Sequence, residues 1–319
     1  VKAAVYDDFG PPAVLRSAEI ADPAPGPDEV LIDVAAISIE GGDLIRRRTT
    51  TPPRRGYVVG YASAGTVVAV GSAATRRAVG DRVTVFADEG SHAALRAVPE
   101  AQTWRIPDGL DFARASALPI SFGTAHHCLF ARGALKAGET VLVQAGAGGV
   151  GTAAIQLARR AGATVVAVAS GAERLAKLTA LGADHVVDRR SEDVVAAVAA
   201  ATGGKGADLV VDPVGATLQT SLRALRPEGR LVFVGNAGGG TSNPDLWPAM
   251  AANQSLLGVF MGPLFTRPEV AATVDRMLAD VADGVLDVAI DREFALEAAA
   301  EAHDHAERGR PFGRVVMRP

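Results

Sequence analysis

The sequence predicts an α/β domain of Rossmann type, built on a doubly wound parallel sheet, beside a second, mostly β domain of barrel-like build. Three observations predict it. A chain of 319 residues is long for one average domain and suits two. Near residue 119 the texture changes from short β-branched runs to Val/Leu strands alternating with Ala-rich helices. Residues 141–174, VLVQAGAGGVGTAAIQLARRAGATVVAVASGAER, read as strand, glycine turn, helix and second strand.

In the first part, VKAAVY, EVLIDVAAIS, SAGTVVAV and DRVTVFA are short strands separated by Pro and Gly turns such as PAPGPDE and VGD. Their length and spacing suggest a compact antiparallel domain. From residue 119, VLVQA, TVVAVA, HVVD, DLVVDPVG and RLVFVGN read as buried strands. Between them GTAAIQLARRAG, ERLAKLTALG, EDVVAAVAAATG and LQTSLRALRPEG read as helices, each ending near a glycine. SLLGVF is a further short strand that can extend the sheet. The tail holds a helix, PEVAATVDRMLADVADG, a second through EAAAEAHDHAERG, and a last strand, GRVVMRP, with the option of returning to the first domain.

Composition narrows the function classes. With 32 basic against 36 acidic residues and no long basic run, neither a nucleic-acid footprint nor a polybasic membrane patch is expected. No apolar run approaches membrane-spanning length. Cys128 is the one cysteine, which excludes an intramolecular disulfide and a Cys-rich zinc cluster, and a reducing, cytoplasmic setting is expected.

Gly146, Gly148 and Gly151, with Gly149 and Val150 between them, form G-x-G-x-x-G at the strand–helix junction. The first permits a tight turn, the second close approach of backbone to phosphate, and the third close helix–strand packing. The helix N-terminus adds unpaired N–H groups for a pyrophosphate. An NAD site usually ends its second strand in an acid, but here that strand ends at Ser170. Arg174 opens the next helix, and Arg189 and Arg190 follow the third strand at the same end of the sheet. Guanidinium groups suit a 2′-phosphate, so the expected cofactor is NADPH, with Glu173 the one nearby residue that argues otherwise.

These motifs, together with VYDDFGPPAVL, PGPDEVLIDVAAISIEGGDLIRR, GYASAGTVVAVG, SFGTAHHCLF and the closing GRPFGRVV, resemble the quinone oxidoreductase group of the medium-chain dehydrogenase/reductase superfamily, and in particular its zinc-free, NADPH-dependent members. The resemblance covers nearly the whole chain. It implies a GroES-like catalytic domain formed by residues 1–118 and 261–319, a Rossmann domain over 119–260, and an active-site cleft where they meet. It also implies a homodimer joined through the Rossmann domains, by the edge strand that SLLGVF resembles. Adenosine-phosphate contacts map onto Ser170, Arg174 and Arg189, the last standing where quinone reductases commonly have Tyr. Thr124 maps to the nicotinamide ribose, Val234, Gly235 and Asn236 to the loop beside the nicotinamide, and Arg314 to the closing Gly-Lys/Arg pattern near the cofactor.

Zinc-dependent relatives carry Gly-His-Glu where this chain has Gly60, Tyr61 and Ala62, and a cysteine near the segment of Ser38 and Glu40. No metal is therefore expected. His126, His127 and Cys128 are chain neighbours, which on a helix point in different directions. The catalytic candidates are Tyr61, Asp43 and Glu40. Asp43 matches the family's Asp but can equally cap a local helix, and Glu40 stands where the family usually has Asn. The expected reaction is NADPH-dependent reduction of a quinone or α,β-unsaturated carbonyl (an enone), both small molecules. The alternatives are enoyl-thioester reduction, alcohol oxidation without zinc, and a non-enzymatic NADPH-binding role.

Overall fold

The computed structural model describes all residues, 1–319. The chain forms two compact units, Val1–Ile120 with Gly262–Pro319, and Ser121–Met261.

The second unit is built on six parallel strands. In chain order they are Thr140–Val143, Thr164–Ala169, His185–Asp188, Ala207–Asp212, Leu225–Phe233 and Ser255–Gly258. In space they run third, second, first, fourth, fifth, sixth. That order reverses direction between the first and fourth strands, and such switch points create the crevice at the strands' carboxyl ends. Val141, Leu142, Val143, Val165, Val166, Leu209, Val210 and Val211 are completely buried, as continuous apolar strands covered on both faces must be. The reading of LRPEG as a helix end is corrected: the helix stops at Ala224 and the strand already begins at Leu225. Pro227 has no N–H to continue a helix, and Glu228 adopts a left-handed conformation, φ 61°.

The first unit contains a seven-stranded sheet and a three-stranded one. Its long strand Glu29–Ile39 pairs antiparallel with Ala62–Val70 and Leu95–Pro99, and near its end with Arg314–Arg318. The tail thus returns to the first domain. The expectation of a purely antiparallel domain is corrected at the edge, where Ile290–Ala295 runs parallel to Arg314–Arg318. The tail helix Pro268–Ala282 is tied in by Trp104, whose Nε1 donates to the carbonyl of Ala271 at 3.1 Å.

A buried polar chain fixes the last helix, Ala299–Arg308, to this unit. Arg47 Nε donates to His303 Nδ1 at 3.3 Å, and the same guanidinium pairs with Glu307. With Nδ1 accepting, His303 carries its proton on Nε2 and donates to His92 Nε2 at 2.8 Å. His92 in turn donates from Nδ1 to Ser91 Oγ at 3.1 Å. Ser91, His92, His303 and the Arg47 side chain are fully buried. Burial and the Arg96 charge push His92 down to about 3, and burial pushes His303 well below its ordinary range.

Candidate active site

Two groups of residues stand out, one in each unit. In the second unit the first strand leads through Gln144 and Ala145 into the glycine turn. Ala145 takes φ 50°, and Gly146 donates its N–H to the carbonyl of Val168 at 2.7 Å, which seats the turn on the second strand. A Cβ on Gly146 would lie 3.1 Å from Leu178, while one on Gly151 would lie 2.4 Å from the Ala145 carbonyl oxygen. Gly148 caps the helix Gly149–Arg160. The first N–H groups of that twelve-residue helix, on Gly149, Val150 and Gly151, have no partner within it and form a cradle for an anion.

At the end of the second strand, Ser170 is buried, and three arginines gather around it and Gly171. Arg189 Nε donates to Ser170 Oγ at 3.0 Å, and Arg174 donates to the Ser170 carbonyl. A Cβ on Gly171 would lie 3.1 Å from an Arg190 nitrogen and 3.8 Å from one of Arg174. Glu173, on the next helix, Ala172–Ala180, forms an ion pair with Lys177 at 2.8 Å. One residue that the motif reading passed over organises this end. Asp188 accepts from the N–H groups of Arg190 and Gly171, each at 3.0 Å, and these bonds hold its carboxyl below the usual range.

Val234, Gly235 and Asn236 follow the fifth strand and are laced to the loop after the fourth. Val234 N–H donates to the Asp212 carbonyl at 2.9 Å, and Ala237 N–H to that of Pro213 at 3.2 Å. The Asp212 side chain, fully buried at the switch point, accepts from Val214 N, Gly215 N, Thr217 Oγ1 and Ser221 Oγ. Thr124 is buried in the helix Phe112–His126.

In the first unit, Glu40, Asp43 and Tyr61 come together, and Arg314 joins them. Helix Gly41–Thr49 begins after Glu40. Asp43 Oδ2 accepts from Glu40 N–H at 2.8 Å, the local cap weighed above, while Oδ1 accepts from Tyr61 N–H at 3.2 Å. Glu40 accepts from Ser38 Oγ at 2.7 Å and pairs with Arg314 Nη2 at 2.5 Å. Burial pushes the Glu40 carboxyl up, against the pull of Arg314 and Ser38, and pushes Asp43 up to about 8. Arg314 is thus engaged by Glu40, a pairing across 274 residues that no local pattern announces.

Tyr61 is half-buried, with its ring set between neighbours from several elements. The Arg46 guanidinium lies 5.2 Å from the ring centroid and the Phe86 ring 6.0 Å away. Gly42 lies against the ring so closely that a Cβ there would fall 2.3 Å from Cε2. Burial raises the phenol, partly offset by Arg46, so the hydroxyl stays protonated at neutral pH and can donate. No three His, Cys, Asp or Glu side chains are placed so as to hold a metal ion.

Residues 149–279 match the family described as zinc-binding dehydrogenase, and residues 26–108 the alcohol dehydrogenase GroES-like domain. A quinone oxidoreductase of Pseudomonas aeruginosa is 33% identical over 324 residues, covering 98% of this chain and 97% of its own. The crystal structure of a Pseudomonas syringae quinone oxidoreductase superposes with a TM-score of 0.93 at 32% identity, covering 100% and 99% of the two chains. That of the Escherichia coli quinone oxidoreductase complexed with NADPH gives 0.94 at 27% identity, with full coverage of both.

Proposed function

The chain belongs to the quinone oxidoreductase group of the medium-chain dehydrogenase/reductase superfamily, and on that premise we propose that it is an NADPH-dependent reductase of a quinone or an enone, acting without zinc. The observation that carries the reading is the cluster of Arg174, Arg189 and Arg190 around Ser170 and Gly171, in line with the glycine turn on the same sheet. The turn and the N-terminus of helix Gly149–Arg160 fit a pyrophosphate, and the three guanidinium groups fit the 2′-phosphate that distinguishes NADPH from NADH. Ser170, Arg174 and Arg189 hold that phosphate. Gly146, Gly148, Gly149, Val150 and Gly151 hold the pyrophosphate. Thr124, Val234, Gly235 and Asn236 line the nicotinamide end.

Bound NADPH supplies the hydride. The protein's share is to hold the acceptor and stabilise the charge that develops on its oxygen. Tyr61 is the residue placed for this, since its phenol is a neutral donor with the Arg46 cation beside it. Asp43 and Glu40 are buried and bonded to protein groups, so their part is to build the loop that carries Tyr61. The zinc-free reading is supported by the ligand positions themselves. Tyr61 stands where zinc-dependent relatives have His, and neither Ser38 nor Glu40 supplies their cysteine thiolate. We also propose a homodimer through the sheet edge at Ser255–Gly258, where Leu256, Phe260 and nearby Trp247 and Met250 are exposed.

The test follows NADPH oxidation with ortho- and para-quinones, 2-alkenals and vinyl ketones. Turnover of at least one class is expected, and it persists after exhaustive chelation. Failure of every acceptor with protein that binds NADPH would sink the reductase reading. Activity lost to a chelator and restored by zinc would overturn the zinc-free one. Tyr61→Phe should slow single-turnover hydride transfer by about 3 kcal/mol, roughly 10²-fold, with NADPH affinity kept.

A further inference from the structure

We infer that Arg96 is the positioning residue for Tyr61: a buried guanidinium that clamps the Gly60–Tyr61 segment and so aims the phenol. The inference rests on Tyr61 acting as the donor described above. Arg96 lies on the strand Leu95–Pro99 and is 3% exposed, yet it has no carboxylate partner within ion-pair distance. Its two terminal nitrogens are spent mostly on main chain instead, and Nε is buried without a partner. Nη1 donates to the Tyr61 carbonyl and to Ser63 Oγ, both at 3.0 Å. Nη2 donates to the carbonyls of Gly60 at 3.3 Å, Ala87 at 3.1 Å and Glu89 at 2.5 Å. A buried cation satisfied mostly by carbonyl oxygens is a costly arrangement, and burial lowers this guanidinium to about 10.

What the arrangement achieves is local. The main chain of Tyr61 is gripped at both ends, its N–H by Asp43 Oδ1 and its carbonyl by Arg96 and by Ala87 N–H at 3.1 Å. The residue before it, Gly60, holds φ 112°, a conformation that favours glycine, and a Cβ there would lie 2.0 Å from Ser91 Oγ. With the backbone on both sides of Tyr61 held by Asp43 and by the clamp, and the ring lying against Gly42, the place from which the Tyr61 hydroxyl reaches out is set by the main chain. A planar fork with five donors can bridge two strands and a turn at once, whereas a lysine ammonium with three cannot reproduce that geometry.

The experiment is a double-mutant cycle on single-turnover hydride transfer from deuterated NADPH to a quinone or enone that the wild type reduces. It uses wild type, Arg96→Lys, Tyr61→Phe and the double variant, each with its NADPH affinity measured. Arg96→Lys should slow the step by roughly 10- to 100-fold, since misplacement by about 1 Å can cost that much, and leave NADPH affinity within about twofold. In the Tyr61→Phe background the same change should cost less than about twofold. Equal losses in both backgrounds, or no loss from Arg96→Lys when Tyr61→Phe is slow, would overturn the positioning role alone. An unchanged rate in Tyr61→Phe would instead overturn the donor reading beneath it, and the inference with it. If Arg96→Lys fails to fold, Ser63→Ala, which removes one of the five acceptors, is run in the same cycle. A smaller loss that disappears with Tyr61→Phe is then expected, and additivity overturns the role.

Discussion

At the scale of a single side chain, the proposed cofactor choice rests on Arg174. It donates to the Ser170 carbonyl and stands within reach of the same space as Arg190. Arg174→Glu removes a phosphate counter-charge and adds a like charge, so it should weaken NADPH by roughly tenfold or more and NADH far less. Direct titration of both cofactors checks this, and equal losses would place Arg174 outside the phosphate site. Gly42 offers a second test at the same scale. Gly42→Ala would gain about 1 kcal/mol of helix propensity, but the new Cβ collides with the Tyr61 ring. Because that ring is half-exposed and able to shift, little change in Tm is expected together with a rate loss of up to about 10²-fold. A variant with wild-type single-turnover rate would show that ring placement does not limit the step.

Among the elements, the helix Ala299–Arg308 carries the clearest pH dependence. His92 and His303 are neutral in the folded protein, with folded values below the 6.5 of an exposed imidazole. Below about pH 6.5 the unfolded chain binds protons that the folded chain refuses. Stability should therefore be fully present above that pH and fall as pH drops below it, by about 1.4 kcal/mol per unit for His92 down to about pH 3, with His303 adding to the loss in the same direction. Denaturant titrations from pH 7 to 4 should show a shallower loss for His92→Gln with His303→Gln than for the wild type. An unchanged slope would mean that the pair is hydrated or already protonated. This element was legible as a helix from its Ala-rich pattern, yet its anchoring was not. The residues that meet there are separated by 211 and 256 positions, and nothing in EAHDHAE indicates that His303 points inward while His305 reaches Asp291 near the surface.

On the scale of the whole molecule, the edge strand Ser255–Gly258 completes the six-stranded sheet and leaves one flank without a partner. Phe260 is 81% exposed and Trp247 73%, an apolar surface that an isolated chain would carry in water. On the proposed dimer, the wild type should sediment as a dimer and Leu256→Lys with Phe260→Glu as a monomer, with NADPH affinity nearly unchanged. A monomeric wild type, or a dimer that survives both changes, would remove the edge strand from the interface.

The sequence by itself determined the parts whose physics is local. Glycine spacing, the strand–turn–helix order and the alternation of apolar strands with Ala-rich helices depend on neighbours within one or two elements. They sufficed for the Rossmann sheet, the glycine turn and the arginines placed at strand ends. The tertiary structure alone decided what a side chain meets across the fold: Glu40 with Arg314, Arg96 with the carbonyls of Gly60 and Tyr61, and His92 with His303. A buried charge or imidazole is tolerated only where distant segments bring it acceptors or donors, and composition carries no record of which segments those will be.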